Sequence, residues 1–262
     1  LRICLLSYRG NPYSGGQGIY IYYLSRELRD LGHEVHVISG PPYPELVDGI
    51  TLHKLESLNL YESTNTFWQD LRRVRNPLRF YEFLMVSLGT FPEPMTFSIR
   101  AFNRIRALQH ELKFDVIHDN QCLAYGLLLM KLLRIPVVAT IHHPIHIDRQ
   151  IEMAQAKTVR EKWRLWRWFS FLGMQRRVSR RLDRVITVSQ KSAQDIGRHF
   201  GVRKESLRVV LNGIDVDFFH GDGRIPKEPS SLIMVSSGNG HTKGSPTCFR
   251  PCSSCGVKPV SG

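Results

Sequence analysis

Leu1-Arg2-Ile3-Cys4-Leu5-Leu6-Ser7-Tyr8, followed by Asn11-Pro12-Tyr13-Ser14-Gly15-Gly16-Gln17-Gly18 and then Ile19, Tyr22, Tyr23 and Leu28 at helical spacing, is the stretch on which the fold turns. An apolar run of strand length, a glycine-rich loop and an amphipathic segment predict a strand over residues 2–8 and a helix over 17–31, with Gly32 as its stop. Val35-His36-Val37-Ile38 then reads as a second strand closed by Gly40-Pro41-Pro42, and Ile50 to Leu55 as a third.

The alternation continues outward from there. Helices are expected over 66–90 and 96–112, separated by Phe91-Pro92-Glu93-Pro94. A strand over Asp115–His118, a helix over 122–133 and a strand over Val137–Ile141, opened by Pro136, follow. A long helix over 155–181, a strand over Val185–Val188, a helix over 190–200 ending at Gly201 and a strand over Leu207–Leu211 complete the pattern. Short apolar strands alternating with helices imply parallel pairing and right-handed crossovers. The predicted fold class is α/β, a doubly wound parallel Rossmann-like sheet with helices on both faces. Such sheets take ligands beyond the carboxyl ends of their strands. The loops after residues 8, 39, 118, 141, 188 and 211 are therefore where chemistry is expected.

Residues 1–220 are assigned to this domain. Residues 221–230, Gly-Asp-Gly-Arg-Ile-Pro-Lys-Glu-Pro-Ser, read as a linker. Residues 231–244, with Leu232-Ile233-Met234-Val235, read as the first strand of a second domain. Residues 245–262 are rich in Ser, Pro, Cys and Gly without apolar periodicity and are expected to be disordered.

Composition bounds the function classes. The 262 residues are 42% hydrophobic and 23% charged, as in an ordinary folded protein rather than a disordered one. No apolar run approaches the ~18–20 residues of a membrane span. Residues 1–8 lack the basic leader and cleavage site of a signal peptide. There are five cysteines; Cys4 and Cys122 lie in apolar surroundings as small core residues. A cytoplasmic location is expected.

The formal charge of +13 is concentrated. Between Lys157 and Arg184, ten Lys or Arg face only Glu161 and Asp183, which supplies +8 of it. On a helical wheel Leu165, Trp168, Phe169 and Leu172 share one face, while Trp163, Trp166 and Phe171 point the other way among Arg164 and Arg167. The second set suits a membrane interface, a partner protein or burial under a neighbouring helix. Peripheral contact with anionic membrane through 157–184 is one expectation; nucleic acid is not expected, because no recognition motif accompanies the charge.

Three loops carry candidate chemistry. In the first, glycines let backbone N–H groups approach an anion at a helix N-terminus. It lacks the Gly-Lys-Ser/Thr of a triphosphate loop. Ile21 occupies the third glycine position of a dinucleotide fingerprint, and Ile38-Ser39 ends the second strand without an acid, which disfavours a nicotinamide enzyme. In the second, Thr140-Ile141-His142-His143-Pro144, a histidine at a strand exit can hydrogen bond a sugar hydroxyl or a developing charge. His142, His143 and His146 are an alternative, weaker grouping on a turn. In the third, Ser189 suits a helix N-cap, and Asn212-Gly213 a turn before Asp215. Cys248, Cys252 and Cys255 have metal-like spacing but no fourth ligand; no metal is expected.

Taken in order, these motifs resemble the N-terminal half of the nucleotide-sugar glycosyltransferases of the GT-B fold, specifically glycosyltransferase family 4. The resemblance rests on Gly15-Gly16-Gln17-Gly18 with Tyr22, Leu24, Leu28 and Gly32–Ile38. It rests also on Phe114–His118, Ile135–His142, Val185–Ser189 and Val210–Phe219, and it covers about residues 2–244. It implies two facing Rossmann-like domains, with the acceptor held mainly by the first and the nucleotide sugar, such as a UDP- or GDP-sugar, by the second. It also implies transfer with retention, without cofactor or catalytic metal. By position, Gly15 and Gly16 would touch the donor diphosphate, and His142 would bind the transferred sugar or support the transition state. Lys243 would be the second domain's diphosphate lysine. Gln17, Asn120, Ser189 and Asn212, at the same strand exits, are further substrate-binding candidates.

The sequence departs from the family at Gly238, where an arginine is common, and after Gly244, where a Leu/Ala-rich helix would continue. A frameshift is one expectation for that change, since leucine codons read one base on give serine or cysteine. The expected function is sugar transfer to a glycan, lipid or small-molecule acceptor, with these residues inactive alone. The alternative is a non-catalytic basic domain that binds anionic membrane or a partner protein.

Overall fold

The computed structural model describes residues 1–13, 16–58, 76–217 and 219–220. Leu1–Asn212 form one compact unit and Gly213–Gly262 a second. In the second, the Phe219 N–H donates to the Asp215 carbonyl at 2.8 Å. The expected linker at 221–230, strand at 231–244 and tail at 245–262 lie outside the described residues, as does 66–75 of the expected helix 66–90.

The first unit is built on seven strands, all parallel: β1 (Arg2–Ser7), β2 (Glu34–Ser39), β3 (Thr51–Lys54), β4 (Val116–Asn120), β5 (Val137–Ile141), β6 (Arg184–Thr187) and β7 (Leu207–Val209). Their order is β3-β2-β1-β4-β5-β6-β7. The chain winds outward from β1 in one direction, then returns and winds outward in the other. The reversal leaves a crevice between β1 and β4, where doubly wound sheets bind ligands. Strands covered on both faces need nearly continuous apolar sequence. Ile3 to Leu6 and Val35, Val37 and Ile38 are accordingly buried.

Helix α1 (Gln17–Asp30) covers one face, placing Ile21 with Ile3, Leu5, Val35 and Val37. It stops where expected. Gly32 takes φ 83°, and the N–H groups of Gly32 and His33 reach back to Arg29 and Leu28 at 2.8 and 3.1 Å. The other face is covered by α2 (Pro77–Ser87), α3 (Glu93–Leu108), α4 (Gly126–Lys131) and helices downstream. Here Phe97, Ala101, Ile105, Leu127 and Met130 pack on Cys4, Leu6, Ile117 and Val137.

Several boundaries differ from expectation. Helix α3 begins at Glu93 rather than 96, because Pro94 falls in the first turn, where no N–H donor is needed, and it ends at Leu108 rather than 112. Helix α4 is shorter than 122–133, because Gln121 and Leu123 adopt φ of 58° and 52°, outside the helical basin. A helix that was not expected, α5 (His146–Gln155), precedes the expected long helix, and that helix is itself two: α6 (Val159–Trp168) and α7 (Leu172–Ser179). Thr158 and Glu161 form a reciprocal capping box that restarts the chain as a helix. A 3₁₀ turn over Phe169–Phe171 shifts the helical phase, so Phe171, expected on the outer face, is buried with Phe169 and Leu172. Helix α8 (Gln190–Asp195) passes into a π-turn over Ile196–Phe200 and ends at Gly201, φ 66°. Strand β7 ends at Val209, two residues short of expectation. Among the described residues no helix is long and apolar enough to cross a membrane.

Two ion pairs fasten this helical layer. Glu82, 1% exposed, receives Arg100 at 2.8 and 3.2 Å and the Thr96 hydroxyl at 2.9 Å. Glu93 receives Arg9, just beyond β1, at 2.7 and 2.9 Å. Breaking a buried pair leaves a charge without compensation, whereas replacing both partners does not. Arg100→Ala is expected to cost about 3–5 kcal/mol, measured by urea denaturation. The double change Glu82→Leu with Arg100→Met should recover most of that loss.

Candidate functional site

Alternation along a strand sends residues of equal parity to one face. On β4 and β5 it sends His118, Asn120 and Thr140, with His142 one step beyond, to the face covered by α1. On these two strands they form a polar group on the α1 side, beside the switch between β1 and β4. His118 Nε2 meets Thr140 Oγ1 at 2.8 Å, and the Tyr20 hydroxyl of α1 meets the same oxygen at 3.2 Å. The Tyr20 ring stands edge-on to His142, centroids 4.5 Å apart.

Asn120 joins the first loop to the second. Its Nδ2 donates to the Gln17 carbonyl at 3.2 Å, and its Oδ1 lies 2.7 Å from His142 Nε2. Because the amide nitrogen is spent on Gln17, its oxygen must accept, and His142 must carry the proton on Nε2. Nδ1 is then the acceptor nitrogen. Burial holds the His142 ring down to about 4, so it is neutral at pH 7.

The neighbouring residues hold this geometry. Gln121 Oε1 accepts the His142 backbone N–H at 2.7 Å, and its Nε2 donates to the His143 carbonyl at 2.8 Å. One amide thus does for the β5 exit what a further strand pair would do. The left-handed φ of Gln121 is what aims it there. Asp119, wholly buried, accepts the Leu123 N–H at 3.0 Å and closes the same turn. Burial raises its carboxyl to about 7.

The glycine loop is shaped by close approach. A Cβ on Gly18 would collide with the Asn11 carbonyl oxygen, so the loop lies directly over the first turn of α1. Gly16 takes the N-cap position without a side-chain cap, and a Cβ there would meet nothing within 4 Å. No side chain caps the first N–H groups of α1, which carry the partial positive charge of a helix N-terminus. The Gln17 side chain hydrogen bonds Tyr8, whose hydroxyl burial pushes up to about 12.

The sequence-expected residues divide accordingly. Gly16, Gln17, Asn120 and His142 come together at the switch between β1 and β4. Ser189 caps α8, accepting the Ser192 N–H at 3.0 Å, while Ser192 Oγ reaches the His142 carbonyl at 3.5 Å. Asn212 lies exposed beyond β7. Gly15 and Lys243 lie outside the described residues. The grouping of His142, His143 and His146 does not form: His143 pairs with Asp148 at 3.1 Å, and His146 stacks on His199 at 5.9 Å. Sequence reading missed Tyr20, His118, Gln121 and Thr140. The pleat parity of His118 and Thr140 with His142 was an available signal; the role of Gln121 depends on its backbone angle, which residue type does not announce.

The profile described as Glycosyltransferase Family 4 matches residues 14–218. The chain is 42% identical over 247 residues to the MMP alpha-(1->4)-mannosyltransferase of Mycolicibacterium hassiacum, covering 93% of this chain and 59% of that protein. It is 24% identical over 233 residues to the D-inositol 3-phosphate glycosyltransferase of Kribbella flavida, covering 83% of this chain and 48% of that one. The chain thus spans between about half and three-fifths of the length of these relatives. Among solved structures, sucrose-phosphate synthase from Thermosynechococcus elongatus shares the fold, with TM-score 0.51 at 17% identity, over 84% of this chain and 50% of that one.

Two predictions follow from the electrostatics. Asn120→Asp places a carboxylate against the ring and should raise the pKa of His142 from about 4 toward the ordinary imidazole range, read by ¹⁵N NMR. Burial also holds His53, His118 and His146 at about 4. An unfolded chain binds protons at these rings near 6.5, so stability is full above that pH and falls as pH drops toward 4. Asp119 opposes this, since the folded chain keeps its proton up to about 7. Four histidines outweigh one aspartate, and the thermal midpoint should fall between pH 7 and pH 4.5.

Proposed function

Because the chain belongs to glycosyltransferase family 4, we propose that it forms the acceptor-side half of a retaining, nucleotide-sugar-dependent glycosyltransferase of the GT-B type. The transferred sugar in this reading is mannose. The observation that supports it is the Asn120 bridge, whose amide joins the Gln17 carbonyl at the start of α1 to the neutral ring of His142.

In this reading the backbone N–H groups at Gly16, Gln17 and Gly18 face the donor diphosphate, with Gly15 and Lys243 as further contacts carried over by resemblance. As the bond from the anomeric carbon to the diphosphate breaks, negative charge grows on the leaving phosphate, and the N-terminus of α1 stabilises it. The acceptor oxygen forms the new bond on the same face and passes its proton to the departing phosphate oxygen. His142 is neutral at pH 7, so it positions rather than protonates: Nδ1 accepts a hydrogen bond from a hydroxyl of the transferred sugar. Ser189 and Asn212 border the same end of the sheet as substrate-binding candidates. The reading requires no resident metal or cofactor and suits the cytoplasm, where the buried thiols of Cys4 and Cys122 stay reduced.

The mannosyl donor is favoured by the relative at 42% identity, which is named for alpha-(1->4)-mannosyl transfer. By the same analogy the acceptor is a sugar whose 4-hydroxyl attacks. The grip on the nucleotide is assigned to the part of the relatives' length that these residues do not span. Residues 1–262 alone are therefore expected to give no turnover.

The test is transfer of labelled mannose from GDP-mannose, with UDP-sugars as comparison, to oligomannoside acceptors. It uses a form of the protein carrying both halves. Transfer should persist in EDTA. His142→Ala should lower kcat about 10²–10³-fold, the range for losing one preorganised hydrogen-bonding group at a reacting centre. Absence of transfer from every nucleoside-diphosphate sugar tried would refute the reading, and an unchanged kcat would remove His142 from it.

A further inference from the structure

Helix α6 carries two chemically different faces. At ~100° per residue, Leu165 and Trp168 turn toward the protein. Leu165 packs on the cluster of Phe169, Phe171 and Leu172, and the Trp168 ring lies 5.3 Å from that of Phe91. Val159, Trp163 and Trp166, spaced i, i+4 and i+7, form the opposite stripe and are 85%, 55% and 57% exposed. Arg160 and Arg167 border it on one side and Lys162 on the other. The Arg167 guanidinium stands 4.3 Å from the Trp163 ring centroid. The one acid of the helix, Glu161, is engaged in the capping box with Thr158. Neither α5 nor α6 contains a buried residue, so this stripe contributes nothing to the core. The end of α2 extends the surface: Leu84 and Leu88 are 40% and 46% exposed, and a Cβ at Gly89 would lie 3.1 Å from Arg167 Nη2.

Two indoles and a valine in water, bordered by cations on a helix whose one acid is engaged in its cap, match the headgroup zone of a bilayer. Tryptophan rings seat there with the N–H kept wet, and long basic side chains reach lipid phosphates while their stems cover apolar surface. The charge of +13 argues against a second copy on this face, since like fields repel. We propose that the Val159–Trp163–Trp166 face of α6 docks on a bilayer rich in anionic lipid, with Arg160, Lys162 and Arg167 on the lipid phosphates. This surface is separate from the crevice and does not depend on the reaction assigned to it.

The experiment is sedimentation of the purified chain with vesicles of phosphatidylcholine containing roughly one-third phosphatidylglycerol. Tryptophan quenching by brominated lipid is the second readout. Binding should weaken about tenfold or more when the anionic lipid is omitted, or when salt is raised to about 0.5 M. The double variant Trp163→Ala with Trp166→Ala should lose binding to the same degree while its circular dichroism and thermal midpoint stay unchanged, since neither side chain is in the core. Three results would overturn the proposal: no binding, binding indifferent to lipid charge, or binding indifferent to the tryptophan pair. A tryptophan-dependent self-association without vesicle binding would also overturn it and assign the face to a second copy. No readout requires sugar transfer, so failure here leaves the assignment of the crevice intact.

Discussion

The side-chain amide of Asn120 ties a helix to a strand exit, and the site depends on that tie. Its nitrogen is held by the Gln17 carbonyl and its oxygen by the His142 ring. The first bond fixes which way the amide faces; the second then fixes which ring nitrogen bears hydrogen. The start of α1 and a histidine far from it in the chain are thereby joined through one amide. Asp119 and Gln121, on either side of Asn120, hold the turn and the adjoining strand end, so three consecutive residues of one strand exit arrange the whole site.

This arrangement is partly legible in the chain. The strands are readable because parallel strands covered on both faces must be apolar throughout, and runs such as Val137–Ile141 have no other use. Order follows from alternation, and the crevice follows from order. His142 is readable because it stands one step past such a run. The helices were harder. Residues 155–181 carry an unbroken helical periodicity, yet Thr158 and Glu161 restart the helix between them, and the 3₁₀ turn at Phe169–Phe171 shifts the phase and brings Phe171 inside. The capping pattern was present in the sequence and was outweighed by periodicity. Gly18 shows another limit. Several glycines crowd the loop, but only the folded path of Asn11 over the helix shows that Gly18 has no room for a side chain. Gln121 was beyond reach, because a left-handed glutamine looks like any other in the sequence.

The buried acids of the helical layer and of β4 meet different surroundings. Glu82 and Glu93 are carboxylates met by arginine forks. Asp119 has no cation and instead holds its proton to about 7. His118 and His142 likewise stay neutral at pH 7, because burial disfavours the charged ring. The crevice wall is thus polar but carries little fixed charge of its own.

The all-parallel sheet has a consequence for how the protein is made. Ile3 on β1 lies against Val35 on β2, which emerges from the ribosome soon after it, but against Val116 on β4, which emerges far later. Roughly 110 residues separate these partners, so at bacterial or eukaryotic elongation speeds of about 5–20 residues per second the inner edge of β1 waits several seconds or more unpaired. During that interval the future centre of the sheet is its open margin, apolar on both sides and able to template a neighbouring nascent chain. Yield in a heterologous host should therefore respond to chaperone supply and translation speed more than to the stability of the finished protein.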